Sequence, residues 1–449
     1  MNNSSLIQRD LAVLWHPCTQ MKDHEQLPPI PIRRGEGVWL EDFDGRRYID
    51  GISSWWVNLF GHANARINAA IADQLRSLEH VILAGFTHEP VVRLSERLIE
   101  IAPHGLSRCF YADSGSAAVE VALKMSFHYW RNSGQSKRNR FISLDNGYHG
   151  ETLGALSVGS VALYRNTYEP LLLNNIVVPS PDCYHRSAAE SCADFSRRMF
   201  EPMREALERH ADEVCAVIVE PLVQCAGGMR MYDPVYLSLL RQACDQYKVH
   251  LIADEIAVGF GRTGTMFACE QAAIRPDILC IGKGLTGGYL PLSACLTTDD
   301  IYDAFYADYA TQRAFLHSHS YTGNPLACAA AHATLDIFRD ENVLSRNRIL
   351  AEHMAGAVAD LAGHVHVGEI RQTGMILAIE MVKDRKTKES YSWQERRGRL
   401  VYQYALAHGA LLRPLGDVIY FMPPYVINEA QIDTLAKVAA EGIRVATLS

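Results

Sequence analysis

In "DILCIGKGLTGG" a single lysine, Lys283, stands between Gly282 and Gly284 at the end of an apolar run. Burying an unpaired ammonium group is costly or drives its pKa down. Either the side chain reaches water from a strand end, or it is used chemically. Asp254 closes an earlier apolar run, "VHLIAD". An amine that condenses with an aldehyde and a carboxylate that keeps a pyridine nitrogen protonated are the two groups pyridoxal phosphate most requires. A structural ion pair between the two residues fits the same spacing, so both readings stand.

Other groupings bear on the same question. "ADSGSAAVE" places Gly115 and Ser116 at a helix start, where backbone N–H groups attract an anion such as a phosphate, although a serine there also serves as a plain cap. "NGYHGET" sets Tyr148 and His149 just past the strand "RFISLD", where an aromatic ring stacks on a flat ligand, lines a slot or packs within its loop. "SSWW" carries Trp55 and Trp56, and "LLRPLGDVIYFMPP" carries Arg413, a side chain suited to clamping a carboxylate or to a surface ion pair. "HSHS", residues 317–320, raises a metal only thinly, since no Cys or carboxylate accompanies it. "GFGRTG", Gly259–Gly264, matches G-x-G-x-x-G, but "DEIAV" separates it from the preceding strand and no acidic residue follows about twenty positions on within a clear second strand, as a ribose needs. A glycine-rich turn shaping a pocket accounts for it better than a nicotinamide site.

These residues need a frame. Runs such as "RFISLD", "VCAVIVEP", "VHLIADEI" and "DILCIG" alternate with helical stretches, for example Ala117, Ala118, Val121, Ala122 and Met125 at helical spacing. That pattern predicts an α/β fold with a mostly parallel sheet covered on both faces. Ligands bind beyond the carboxyl ends of such strands, where Asp113, Asp145, Glu220, Asp254 and Lys283 fall. At 449 residues the chain exceeds one core. The expected division is an N-terminal segment 1–60, a large lobe 61–330 and a C-terminal small lobe 331–449, with the N-terminal segment contributing to the small α+β lobe.

Composition narrows the partners. A net charge of -8 argues against nucleic acid or an anionic membrane surface. The 11 cysteines lack any C-x-x-C pair, which predicts reduced, mostly buried thiols in a reducing compartment. Neither a secretory signal nor an apolar run of spanning length is visible, and a cytoplasmic location is expected.

Taken together, "DSGSAAVEVALKM", "GYHGETLGALSV", "VIVEPLVQCAGGM", "LIADEIAVGFGRTGTMFACE", "PDILCIGKGLTGGYLPLSA" and "SYTGNPLACAAA" resemble the class III, fold type I, pyridoxal-phosphate aminotransferases. The resemblance runs in order along nearly the whole chain. It implies a seven-stranded, mostly parallel sheet flanked by helices, plus a smaller α+β lobe. "WHPCTQM", "GISSWWVNLFGHANARI", "GFTHEP" and "LLRPLGDVIYFMPPY" are similar to the branch of that class serving biotin synthesis. That branch converts 8-amino-7-oxononanoate to 7,8-diaminononanoate with S-adenosylmethionine as amino donor, in a ping-pong reaction through pyridoxamine phosphate.

The resemblance also implies roles. Lys283 holds pyridoxal 5'-phosphate covalently and shuttles the proton. Asp254 holds the pyridine nitrogen, and Tyr148 packs by the ring. Gly115 and Ser116 bind the phosphate, joined by His319 and Ser320 from the other subunit of a homodimer with shared active sites. Trp55 and Tyr148 line the substrate slot, and Arg413 takes the keto-acid carboxylate. Two positions depart from the pattern. Cys18 replaces a tyrosine that stacks on the donor's adenine, and a thiol has no aromatic face. Ser318 replaces a glycine that contacts substrate, which narrows the slot. Another class III ω-aminotransferase, acting on a diamine or an ω-amino acid, is the nearest alternative. A decarboxylase of the same fold, a nicotinamide-dependent oxidoreductase and a binding protein without turnover stand further off.

Overall fold

The computed structural model describes residues 2–448. The larger of two compact units comprises Arg66–Arg348 and Arg371–Ile376. It is organised on a seven-stranded sheet: β1 (Arg108–Ala112), β2 (Arg140–Leu144), β3 (Ile176–Val178), β4 (Val214–Val219), β5 (His250–Asp254), β6 (Ile278–Ile281) and β7 (Ser293–Thr297). The spatial order is β1-β7-β6-β5-β4-β2-β3. The pairings among β3, β2, β4, β5 and β6 are parallel, whereas β7 runs antiparallel to both β6 and β1. Every residue of β4, β5, β6 and β7 is buried. That burial is why their sequences are near-continuous apolar runs rather than alternating ones.

Helix α1 (Gly115–Asn132) covers one face, with Ala118, Val121, Ala122 and Met125 packed in a cluster that includes Ile218, Ile252, Ile278 and Cys280. Ser114 caps it by accepting the Ala117 N–H at 3.3 Å. Helix α2 (Pro325–Asp340) starts with Pro325 behind the Asn324 cap, and the expected boundary at 330 falls inside this helix. The "GFGRTG" segment leads into a short 3-10 turn, Ala268–Ala272, not a long helix. Gln271 Nε2 bonds the Thr263 carbonyl at 2.8 Å, and Met375 N–H bonds that of Arg262 at 2.9 Å. A dinucleotide turn requires a strand directly before it and a helix directly after it, and neither is present.

The smaller unit gathers the residues up to Ala65, Ile349–Ile370 and those from Leu377 onward. Ile32–Glu36, Trp39–Asp42 and Arg47–Asp50 form an antiparallel meander, to which Ala410–Leu411 adds a parallel strand. Beyond Asp50 lies a turn in which Ser53, Ser54, Trp55 and Trp56 all take positive φ, between 45° and 77°. Such a run of non-glycine left-handed residues persists only when its surroundings over-determine it. Here they do. The buried Asp50 accepts the Ile52 and Ser54 N–H groups at 3.3 and 2.9 Å and the Ser54 hydroxyl at 2.7 Å, and His62 Nε2 lies 3.1 Å away. Ser53 Oγ donates to the Met422 carbonyl at 2.8 Å, and Trp56 Nε1 to the Tyr420 hydroxyl at 3.0 Å.

Among the described residues no helix is long and apolar enough to cross a membrane. Seven cysteines are buried free thiols, Cys109 is partly covered and Cys18 is exposed. Cys183 and Cys192 depart from the expectation of thiols throughout and are bonded to each other. The loop between them folds back and brings their Cα atoms to 5.5 Å, well inside bridging range, which the separation of nine residues did not announce.

Two measurements check these features. Asp50→Ala leaves a cluster of donors without an acceptor and is expected to cost about 3 kcal/mol of stability in denaturant unfolding at neutral pH. Thiol titration of the denatured protein should find two more groups after reduction than before.

Candidate active site

The carboxyl edge of the parallel strands carries the chemistry. β6 ends into Gly282, and Lys283 follows with φ of 41°, a left-handed conformation that costs a non-glycine residue about 1–3 kcal/mol. A 3-10 turn, Lys283–Thr286, holds it there, with Leu285 N–H on the Gly282 carbonyl and Gly287 N–H on that of Gly284, both at 2.9 Å. Burial depresses the lysine's pKa, and Asp254, Cys225 and Glu220 pull it back upward. An ammonium group so placed gives up its proton more readily than a surface lysine.

Asp254 ends β5 and is buried. Its Oδ1 accepts the Ile256 N–H at 3.1 Å, and its Oδ2 lies 2.7 Å from Nδ1 of the equally buried His149. His149 and Tyr148 sit on the loop after β2. Tyr148 meets the Tyr164 ring edge-on at 5.2 Å and donates its hydroxyl to Glu151 at 3.0 Å. Glu220, just past β4, is also buried, and burial pushes its carboxyl up to about 7 against the pull of His149.

Gly115 and Ser116 occupy the first turn of α1, where the helix supplies no carbonyl for their N–H groups. A Cβ at Gly115 would lie 2.8 Å from Cγ2 of Ile256, so only glycine fits. Ile256 also borders Gly282, and Ser293 Oγ bonds the Ser114 carbonyl at 2.6 Å. The helix start and the lysine therefore share one neighbourhood. The Ser116 hydroxyl accepts the Thr152 N–H at 3.1 Å, which ties this helix start to the loop bearing Tyr148. An amine of lowered pKa, a buried carboxylate and unpaired helix N–H groups together fit a phosphorylated pyridine aldehyde.

The remaining predicted residues lie elsewhere. His319, with Nδ1 4.0 Å from Asp113 Oδ2 of the same chain, belongs to the segment that also exposes Ser318 and Ser320. His317 Nδ1 is 2.8 Å from the Lys124 ammonium. Among the described residues no group of three His, Cys, Asp or Glu side chains is placed to hold a metal.

Cys18, Trp55 and Arg413 meet within the smaller unit. The Arg413 guanidinium lies 5.0 Å from the centre of the Trp55 ring, and its Nη2 donates to the Cys18 carbonyl at 3.2 Å. Trp55 is 39% exposed. Cys18 and Arg413 line a cavity of about 480 Å³ with Asp23, Arg399 and Tyr402. The sequence places Glu220 at a strand end and His149 just past one without giving either a task. It gives no sign of the left-handed backbone at Lys283 and at Ser53–Trp56, because nothing in a lysine or a tryptophan signals positive φ.

Comparison with known proteins agrees with this geometry. Residues 19–441 match the model of the family described as aminotransferase class-III. A relative from Helicobacter pylori, named adenosylmethionine-8-amino-7-oxononanoate aminotransferase, is 48% identical over 95% of each chain. One of the same name from Geobacter sulfurreducens is 44% identical over 98% of this chain and 97% of its own. Among solved structures, an enzyme of that name from Methanocaldococcus jannaschii superposes with a TM-score of 0.94 at 39% identity, covering all of both chains. An omega transaminase from Pseudomonas jessenii, in complex with PMP, gives 0.93 at 30% identity, with 98% of each chain covered. With its lysine, acid and helix start at one sheet edge, the chain belongs to the class-III aminotransferase family and is a pyridoxal-phosphate-dependent transaminase.

Proposed function

We propose that this enzyme aminates 8-amino-7-oxononanoate to 7,8-diaminononanoate for biotin synthesis, with S-adenosylmethionine as donor. Relatives matched over nearly the whole chain bear that activity in their names. The observation that carries the chemistry is the lowered-pKa Lys283 in a neighbourhood shared with Asp254, which is itself backed by His149.

Lys283 would hold the cofactor through its amine and, when that amine is free, would carry a proton at its Nζ. Asp254 keeps the ring nitrogen protonated, with His149 fixing its orientation. The N–H groups of Gly115 and Ser116 hold the phosphate. Pyridoxal phosphate, when bound, supplies the electron sink for the carbon that loses its proton. Tyr148 packs by the ring and, with Trp55, borders the substrate slot. Arg413 receives the keto-acid carboxylate. Ser318 narrows the entrance, and a second copy of the chain brings His319 and Ser320 to the phosphate in a homodimer. A cytoplasmic setting suits the nine free thiols.

Cys18 favours keeping one other reading. Its side chain gives an adenine nothing to stack on, so a different donor, such as lysine or another diamine, would be accepted by an ω-aminotransferase of the same class. Single-turnover reactions with each amine, followed by the keto-acid, separate the two.

Lys283→Ala should abolish both turnover and the visible band that borohydride removes from the wild type. A variant that keeps that band overturns the assignment of Lys283. Initial-rate plots against the two substrates should give parallel lines, as double displacement requires. Arg413→Ala should raise the KM for the keto-acid about a hundredfold with the visible band intact, the loss of one two-pronged carboxylate contact. An unchanged KM would place the carboxylate elsewhere.

A further inference from the structure

Glu220 has no part in the roles above, yet it is a buried acid beside the site. The β4–β5 register pairs Val219 with Ala253, which sets Glu220 next to Asp254 at the ends of adjacent strands. Its two carboxylate oxygens reach two different segments. Oε2 accepts the Tyr148 N–H at 2.9 Å, and Oε1 accepts the Cys225 N–H at 3.0 Å. The backbone carbonyl of Glu220 is itself held by the Tyr232 hydroxyl at 2.7 Å.

The same two segments are joined by neutral bonds. Asn146 Nδ2 donates to the Gly227 carbonyl at 2.6 Å, and Gln224 Nε2 to the Asp145 carbonyl at 2.8 Å. A Cβ at Gly227 would come within 2.3 Å of the Asn146 carbonyl oxygen, so the loops are already in contact. Glu220 supplies the ionisable acceptor in this set, and while its carboxyl is ionised its two bonds are about twice as strong as neutral ones. Because Tyr148 and His149 are consecutive, fixing the Tyr148 amide fixes the start of both side chains. One of those two side chains is the imidazole that meets Asp254. His149, Asp254, Lys283, Cys225 and Tyr232 are the titratable groups facing Glu220.

We propose that Glu220 is a positioning residue for amino transfer: its carboxylate clamps the Tyr148 and Cys225 amides and so sets the Tyr148–His149 loop against Asp254. The inference rests on the cofactor reading given above. A glutamine at 220 preserves shape but presents an NH2 group to one of the two amides, so one clamp is lost.

The test combines amide hydrogen exchange, resolved at Tyr148 and Cys225, with spectra and kinetics of the wild type and E220Q. In E220Q one of the two amides should exchange about tenfold to a hundredfold faster, the loss of one bond to a charged acceptor. The visible circular dichroism of the bound cofactor should fall, and kcat should drop about tenfold to a hundredfold with both KM values nearly unchanged. An E220Q protein with lower thermal stability but wild-type circular dichroism and kcat overturns the proposal and leaves Glu220 a purely structural residue. Should E220Q fail to fold, the wild type still decides. Slow exchange at both amides supports the clamp, and exchange as fast as in an open loop overturns it. A wild type with no visible band sinks the cofactor reading instead, since the exchange measurement on the cofactor-free protein needs no coenzyme.

Discussion

Buried charge at one sheet edge is the constraint on which the rest of this molecule depends. Asp254 ends β5, and Glu220 and Lys283 lie just past β4 and β6, at the same edge of three adjacent parallel strands. Charges in such a place are tolerable only when hydrogen bonds and opposite charges surround them. The structure meets that demand with His149 on Asp254, backbone N–H groups on both acids, and the acids themselves raising the lysine's affinity for its proton. The two acids therefore differ in environment. Asp254 faces an imidazole, whereas Glu220 is pushed up to about 7 by burial.

Strained backbone occurs in both units. Lys283 in the larger unit and Ser53–Trp56 in the smaller one adopt left-handed conformations without glycine. Each is held by surrounding bonds, a 3-10 turn in one case and the Asp50 cluster in the other. Strain of this kind persists because folding elsewhere offsets it. Membership of the class-III family, matched from residue 19 to 441, spans both regions.

Much of the larger unit was legible in the letters. Apolar runs buried on both faces have a simple signature, and every residue of β4, β5 and β6 is buried where the runs "VCAVIV", "HLIAD" and "ILCI" occur. The helix after "DSGS" was readable for the same reason, since small and apolar residues recur on one face. The glycine pattern "GFGRTG" reads as a pocket-shaping turn rather than a dinucleotide motif, because a strand–turn–helix frame is missing. The cysteine reading erred at one place. Whether Cys183 and Cys192 meet depends on how the loop between them closes, and spacing alone is silent about closure.

The sequence by itself determined which residue types lie at the strand ends, the mostly parallel character of the sheet, and a lysine, an acid and a helix start whose shared chemistry only the family resemblance implied. Those are local properties, set by hydrophobic periodicity and by side-chain functional groups. Only the tertiary structure decided that His149 backs Asp254, that Glu220 bonds two separate loops, and that Arg413 lies by Trp55 and the Cys18 carbonyl. Apart from the Glu220–Cys225 bond, those partnerships join residues far apart in the chain. They arise from strand register and loop closure, quantities that no short stretch of sequence encodes.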